Sequence, residues 1–172
     1  MNILILNGSP RPNGNTASMA AAFAEGAKGA GHEVIILNVG RMKIAGCLGC
    51  EHCHTHGGGA CIQKDDMQAV YTAIGNAEML VIASPIYYFG LTGQLQCAIH
   101  RTYAIGIPKK LKKAMLILSS GSDDVYDGAV YEYQQSFFEY MGLENMGIHK
   151  AHGAKNRSKN FLAELKEAGK RL

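Results

Sequence analysis

The fold is decided by the stretch Ile3-Leu4-Ile5-Leu6-Asn7-Gly8-Ser9-Pro10-Arg11-Pro12-Asn13-Gly14-Asn15-Thr16 of this 172-residue chain. Residues 3–6 form a short, fully apolar run, which is typical of a strand buried on both faces. The run ends in a loop rich in Gly, Pro and Asn, and an Ala-rich segment with helical propensity follows as far as about residue 30. A strand, a loop and a helix are therefore predicted in this order.

The same alternation continues along the chain. Gly31 ends the first helix, and residues 33–39 form a second apolar, β-branched run, which completes a β-α-β unit with parallel strands. Further strands are predicted at residues 78–83, 114–118 and 145–149, and further helices after residue 65 and at 91–103, 129–141 and 158–170. This pattern predicts a single α/β domain over residues 1–172, in which two layers of helices cover a five-stranded parallel sheet.

Composition and charge exclude several classes of protein. The apolar fraction of 47% is ordinary for a globular protein, and no apolar run approaches the roughly 18 to 20 residues that a membrane span needs. The N-terminus does not resemble a signal peptide, so a cytoplasmic protein without membrane contact is expected. The net charge of +3 is mild and the basic residues do not form a nucleic-acid footprint, so no nucleic-acid partner is expected.

The loop at residues 8–16 has the properties of an anion site. Backbone N–H groups and the helix dipole point into a loop that precedes a helix. Ser9, Asn15 and Thr16 can donate hydrogen bonds, and Arg11 adds a positive charge. A triphosphate loop would carry Lys where this chain has Asn15, and a G-x-G-x-x-G fingerprint is absent. A single terminal phosphate is therefore the predicted ligand group.

Two further irregular loops, at residues 84–94 and 119–128, follow predicted strands at the same edge of the sheet, where ligands of such folds bind. The three loops are expected to converge on one site. Residues 84–89 combine a proline with three aromatic side chains, which suits a planar ligand, although Tyr88 and Phe89 also fit core or dimer packing. Gly121 would let the backbone approach a ring closely.

Four of the five cysteines lie in an aperiodic insertion at about residues 40–64, as Cys47-Leu48-Gly49-Cys50-Glu51-His52-Cys53 followed by Cys61. In a cytosolic chain such crowding favours metal or redox chemistry. Three thiolates at two-residue gaps can bind three irons of a cubane, and the glycines at 57–59 would give a fourth ligand the flexibility to reach it. Three alternatives stay open: an unmetallated loop, a disulfide formed in air, and a zinc site that also uses His52, His54 or His56.

The pattern G-S-P-R-x-x-G-N-T at residues 8–16, together with P-I-Y-Y-F-G at 85–90, resembles the NAD(P)H-dependent FMN reductase family of flavodoxin-like flavoproteins, and within it the iron–sulfur flavoprotein branch. The resemblance implies a flavodoxin-like three-layer sandwich, bound FMN, NAD(P)H as electron donor, and a homodimer or homotetramer.

The resemblance also implies roles for individual residues. The FMN phosphate would be held by Ser9, Arg11, Asn15 and Thr16. The ring would lie beside Pro85, Ile86, Tyr87, Tyr88, Phe89, Ser119 and Gly121. A [4Fe-4S] cluster would be ligated by Cys47, Cys50, Cys53 and Cys61.

Three functions are consistent with these residues. The first is an FMN-dependent oxidoreductase that passes electrons between FMN and a [4Fe-4S] cluster. The second is an NAD(P)H-dependent FMN or quinone reductase without a cluster, and the third is a non-catalytic redox carrier or metal-binding module. In the first two the flavin performs the chemistry, so no catalytic side chain is expected, and the electron donor and acceptor are small molecules or proteins.

Overall fold

The computed structural model describes all residues from Met1 to Leu172. One sheet contains five strands, β1 (Asn2–Asn7), β2 (Glu33–Leu37), β3 (Met79–Pro85), β4 (Lys113–Ser120) and β5 (Glu144–His152). Their order is β2-β1-β3-β4-β5, and every neighbouring pair is parallel. This is the strand order of flavodoxin-like sheets, so the predicted flavodoxin-like fold is confirmed.

Helices cover both faces of the sheet. They are α1 (Asn15–Gly29), α2 (His52–Thr55), α3 (Met67–Asn76), α4 (Gly93–Arg101), α5 (Asp127–Tyr133) and α6 (Lys159–Lys170). Ile5 of β1 packs with Phe23 and Leu165 of α1 and α6, whereas Leu6 packs in the cluster formed with α3, α4 and α5. Because successive strand residues point to opposite faces, this double burial explains the uninterrupted apolar runs. No helix combines the length and the apolar character needed to cross a membrane.

Helices α1 and α6 approach each other unusually closely. A Cβ atom added to Gly26 would lie 1.9 Å from the carbonyl oxygen of Lys166, and one added to Gly169 would lie 2.3 Å from that of Phe23. A contact this short between two backbones is open only to glycine, so these two positions fix the distance between the helices.

Two predicted elements differ from the prediction in their second halves. Strand β2 stops at Leu37, and Val39–Arg41 form a 3-10 turn instead. The helix predicted over residues 129–141 stops as an α-helix at Tyr133 and continues as a π-helix over Gln134–Tyr140. The apolar spacing of a seven-residue segment does not distinguish these two helical forms.

The fifth strand is longer than predicted, since it runs to His152 and not to residue 149. It pairs with β4 through a register shift between Ala114 and Leu116, and Gly147 has a positive φ of 126°. Pairing with a neighbouring strand therefore overrides a weak local pattern. As a result, the 3-10 segment Gly153–Arg157 also follows a strand end and reaches the edge where ligands bind.

Candidate functional site

A cavity of about 330 Å³ lies at the carboxyl ends of the strands. All three loops predicted to converge contribute to it, and so does the segment after β5. The lining residues are Ser9, Arg11, Asn15, Thr16, Pro85, Ile86, Tyr87, Ser119, Ser120, Gly121, Gly153 and Asn156. Nine of the eleven predicted cofactor-binding residues thus line one cavity, and Tyr88 and Phe89 lie outside it.

The loop between β1 and α1 is a closed turn held by its own polar groups. The backbone N–H of Ser9 donates to Asn7 Oδ1 at 3.1 Å, and that of Arg11 donates to Ser9 Oγ at 3.3 Å. Gly14 stands directly before α1 and has no side chain that could cap the helix. Backbone N–H groups of the first helical turn therefore remain available to a ligand, and an anion suits them best.

Two glycines allow this loop to sit close to its neighbours. A Cβ atom on Gly8 would lie 2.7 Å from Thr92 Oγ1, and a Cβ atom on Gly40 would lie 2.5 Å from the carbonyl oxygen of Ser9. The Thr92 hydroxyl donates to the carbonyl oxygen of Gly8 at 2.8 Å. Thr92, directly before α4, thus holds the start of the loop in place.

The charges around the loop are positive. Arg11 lines the cavity, and Arg157 Nε donates to Asn15 Oδ1 at 2.9 Å. None of the lining residues is acidic. The helix N-terminus and the two guanidinium groups therefore act in the same direction and favour a negatively charged ligand group.

Two hydroxyl groups join the loop at residues 8–16 to strand β4. Thr16 Oγ1 and Ser119 Oγ lie 2.7 Å apart, and both side chains are buried. A pair of hydroxyls uses only one of its two O–H hydrogens for the mutual bond, so one donor is left over. The Ser119 carbonyl oxygen also accepts from the N–H of Ile86 at 2.8 Å, which links the ends of β3 and β4.

Sequence reasoning missed the contribution of the segment after β5. Asn156 is buried, and its Nδ2 donates to the carbonyl oxygens of Ser120 at 2.7 Å and Gly153 at 3.0 Å. These bonds hold the segment against the end of β4. The available signal was the glycine and asparagine after a fifth strand, but the strand was predicted to end three residues too early for it to be recognised.

The aromatic loop after β3 is a tight hairpin. Tyr87 and Gly90 exchange two backbone hydrogen bonds of 3.1 Å, and both residues between them have positive φ, 48° for Tyr88 and 64° for Phe89. Their side chains are 102% and 62% exposed, so the core-packing alternative for them is wrong. Non-glycine residues in this region cost about 1 to 3 kcal/mol each, and such strain clusters at functional sites.

The hairpin extends the site. Tyr88 and Phe89 line a second cavity of about 170 Å³, whose walls also include Ile86, Ser120 and Gly121. Those last three residues line the first cavity as well. The two cavities therefore adjoin and form an elongated depression with a cationic end and an aromatic end.

The four clustered cysteines meet at a different place. Cys47, Cys50, Cys53 and Cys61 all line one small cavity of about 20 Å³, which we call the cysteine cavity. No histidine lines it, since His54 Nε2 instead lies 3.0 Å from the carbonyl oxygen of Tyr103. All five cysteines are free thiols, and no group of three or more His, Cys, Asp or Glu side chains is arranged around a single-ion position.

Residues 43–66, which we call the cysteine loop, are held at their base by hydrogen bonds between the two ends of the segment. The N–H of Lys43 donates to Asp66 Oδ2 at 2.7 Å, that of Ala45 donates to Asp65 Oδ2 at 3.1 Å, and Gln63 Nε2 donates to the carbonyl oxygen of Gly46 at 3.0 Å. These bonds bring the flanks of the cysteine motif together across about twenty residues of chain.

The glycine run that was expected to be flexible is a hydrogen-bonded turn. The N–H of Gly59 donates to the carbonyl oxygen of Cys53 at 2.8 Å, and that of Gly57 donates to His52 at 2.7 Å. Gly58 and Gly59 have φ values of 54° and 89°. The glycines therefore serve the left-handed backbone that returns the chain from Cys53 toward Cys61.

Arg101, at the end of α4, also lines the cysteine cavity and was not predicted. Its side chain is 1% exposed, and its guanidinium donates to both oxygens of Asp65 at 2.9 and 3.2 Å and to the carbonyl oxygen of Ala45 at 3.0 Å. Burial raises the pKa of the Cys61 thiol, but the N–H of Gln63 and the Arg101 charge outweigh it, so the net pKa lies below the ordinary value. A charged residue in a helix is normally exposed, so nothing local indicated its burial.

The model of the NADPH-dependent FMN reductase family matches residues 1–152 of the chain. The chain belongs to the NADPH-dependent FMN reductase family. Within it, the chain is 33% identical over 105 residues to an iron–sulfur flavoprotein of Archaeoglobus fulgidus, a match that covers 61% of this chain and 47% of that protein. It is 27% identical over an alignment of 174 positions, gaps included, to a putative NAD(P)H-dependent FMN-containing oxidoreductase of Bacillus subtilis, and the alignment covers 95% of this chain and 91% of that protein.

The fold is also similar to that of solved oxidoreductase structures. An NAD(P)H:quinone oxidoreductase from Methanothermobacter marburgensis superposes with a TM-score of 0.75 at 16% identity, over 98% of this chain and 94% of that one. At this identity the likeness shows the fold. The matches to the iron–sulfur flavoproteins span about half the length of those relatives.

Proposed function

We propose that this member of the FMN reductase family is an oxidoreductase that binds FMN in the 330 Å³ cavity and receives electrons from NAD(P)H. The proposal depends above all on one arrangement: an uncapped helix N-terminus, Arg11 and a hydroxyl pair at one end of a cavity without acidic residues. That combination suits a phosphate, and the adjoining aromatic end suits a ring. The family match supports the choice of FMN among phosphorylated aromatic ligands.

The lining residues fit such a ligand by position. Ser9, Arg11, Asn15 and Thr16 would hold the phosphate, Pro85, Ile86 and Tyr87 would form one wall for the ring, and Ser119 and Gly121 would form the other. A Cβ atom added to Gly121 would meet nothing within 4 Å, so the space beside it is open to a ligand. Tyr88 and Phe89 would stand at the rim, where their exposed rings can also contact a second copy in a homodimer or homotetramer.

When bound, FMN supplies the chemistry, because it accepts a hydride and releases electrons singly or in pairs. The residues of this chain would bind and orient it. The only ionisable side chains among the lining residues are those of Arg11 and Tyr87, so the cavity offers no carboxylate or histidine for proton transfer. The protein's contribution is therefore the position of the ring and the positive field at the phosphate.

The proposal is tested by purifying the chain, measuring bound FMN per chain, and following NADPH and NADH oxidation with several acceptors. We expect one FMN per chain and flavin-dependent turnover. Asn15→Asp places a negative charge at the phosphate end and should greatly reduce FMN binding, whereas Asn13→Asp, exposed in the same loop outside the cavity lining, should reduce it less. Failure to bind FMN would refute the proposal, and binding without turnover would favour a non-catalytic carrier.

A second function, in which electrons pass between FMN and a [4Fe-4S] cluster, is favoured by the cysteine cavity. All four cysteines of the C-x2-C-x2-C-x7-C motif line it and no histidine does, which suits a thiolate-ligated cluster better than a mixed zinc site. The names of the archaeal relatives support the same choice. Iron and acid-labile sulfide after anaerobic purification decide it, because four of each per chain support a cluster and one zinc per chain refutes it.

A further inference from the structure

The cysteine cavity has one cationic side chain in its wall. Arg101 is 1% exposed there, and its Nε has no hydrogen-bond partner. Glu51, the only acidic residue in the same wall, is exposed and accepts a hydrogen bond from the Tyr103 hydroxyl at 3.0 Å. Water therefore screens the negative charge of Glu51 much more effectively than the positive charge of Arg101.

The partner of Arg101 lies behind it. Asp65 accepts both guanidinium bonds but does not line the cavity, and its oxygens also accept from the N–H groups of Ala45 and Met67. The ion pair thus presents its positive end to the cysteines and its negative end to the backbone of the loop base.

We propose that Arg101 is a positioning residue for the cysteine site, where it balances the negative charge of the group held by Cys47, Cys50, Cys53 and Cys61 and raises that group's reduction potential. The inference depends on the cluster proposed above. A thiolate-ligated cluster gains one further negative charge when it accepts an electron, so a buried positive end stabilises the reduced form more than the oxidised form. Hydrogen bonds to the sulfurs act in the same direction, and the free Nε–H is available for one.

Two substitutions separate this electrostatic role from a structural one. Arg101→Met removes the positive end and leaves Asp65 uncompensated, so the reduction potential should become more negative. Asp65→Asn keeps the guanidinium and removes its counter-charge, so the potential should become more positive. A role confined to holding the loop predicts no such opposite shifts, only loss of cluster in both variants.

The measurement is a redox titration of the anaerobically reconstituted protein, followed by its visible and paramagnetic spectra, together with the rate of iron loss to a chelator. The Arg101→Met variant should also bind iron at least about tenfold less tightly, which is the usual effect of removing a residue that supports the ligands of a metal site. Arg101→Lys, which keeps the charge without the planar fork, should recover most of the potential shift. Arg171→Met removes the same charge at an exposed position after α6, on the other face of the sheet, and should change nothing.

The outcomes are distinct. Opposite shifts of the reduction potential in the two variants support the role of Arg101. If Arg101→Met does not fold, a positive shift of the potential in Asp65→Asn supports that role by itself. Equal or absent shifts in variants that hold the cluster refute the role while the cluster stands. A wild-type chain that takes up no iron refutes the cluster and this role together and leaves FMN binding untouched.

Discussion

Replacing Arg11 with methionine tests whether the loop at residues 8–16 recognises a phosphate. Methionine keeps a long, unbranched side chain and removes only the guanidinium. Because Arg11 lines the cavity beside the uncapped N-terminus of α1, the loss should affect the charged end of a ligand and nothing else.

The expected magnitude follows from the surroundings of Arg11. A hydrogen bond to a charged group contributes about 1.5 to 3 kcal/mol, and the exposed position of this side chain places it at the lower end. A loss of about 1.5 kcal/mol corresponds to a roughly tenfold larger dissociation constant for FMN. Riboflavin has the same ring and polyol chain without the phosphate, so its weaker affinity should be nearly the same for the variant and the wild type.

The assay is a titration of the flavin-free protein with FMN and with riboflavin, followed by flavin fluorescence. Arg41→Met, which removes an exposed arginine outside the cavity lining, is the matched control and should change neither affinity. An equal loss for FMN and riboflavin would refute the reasoning, because the substitution would then act on the ring end or on the fold. An unchanged FMN affinity would refute it as well.

Three further predictions follow from individual contacts. Gly121→Val places a side chain in open space beside the cavity, so FMN affinity measured by calorimetry should fall at least about tenfold with little change in melting temperature; unchanged affinity would exclude a ring there. Gly26→Ala places a methyl group against the Lys166 carbonyl, so it should lower the free energy of unfolding by about 1 to 3 kcal/mol and the melting temperature by roughly 3 to 10 °C. Gly29→Ala is the control, because an added Cβ atom there has no atom within 4 Å, and it should leave stability unchanged or increase it. Burial lowers the pKa of His149 below 6.5, although Glu164 partly offsets this. The unfolded state therefore takes up the proton at a higher pH than the folded state does, so protonation favours unfolding. Urea melts should show that the free energy of unfolding decreases as the pH falls below about 6.5, and His149→Gln should reduce this decrease.

The sequence was sufficient for the fold and for most of the candidate site because both depend on local patterns. Apolar runs ended by irregular loops locate the strands, and the carboxyl ends of parallel strands meet at one edge. That rule alone places Ser9, Ile86 and Ser119 together, and the structure confirms that they line one cavity.

The parts that sequence reasoning missed depend on contacts between distant residues. Arg101 is buried because it meets Asp65, 36 positions away, and a helix pattern gives no sign of that pair. Asn156 reaches the site only because β5 extends to His152 through its pairing with β4. The strained hairpin at Tyr88 likewise gave no signal, since aromatic residues rarely adopt positive φ.

The central claim is that FMN binds at the carboxyl edge of the sheet with its phosphate at the start of α1. Backbone amide chemical shifts recorded during an FMN titration test it most directly. We expect saturation at one FMN per chain, with the largest changes at residues 9–16, 85–87, 119–121 and 153–156. Absence of saturable binding, or changes confined to the cysteine loop at residues 43–66, would contradict it.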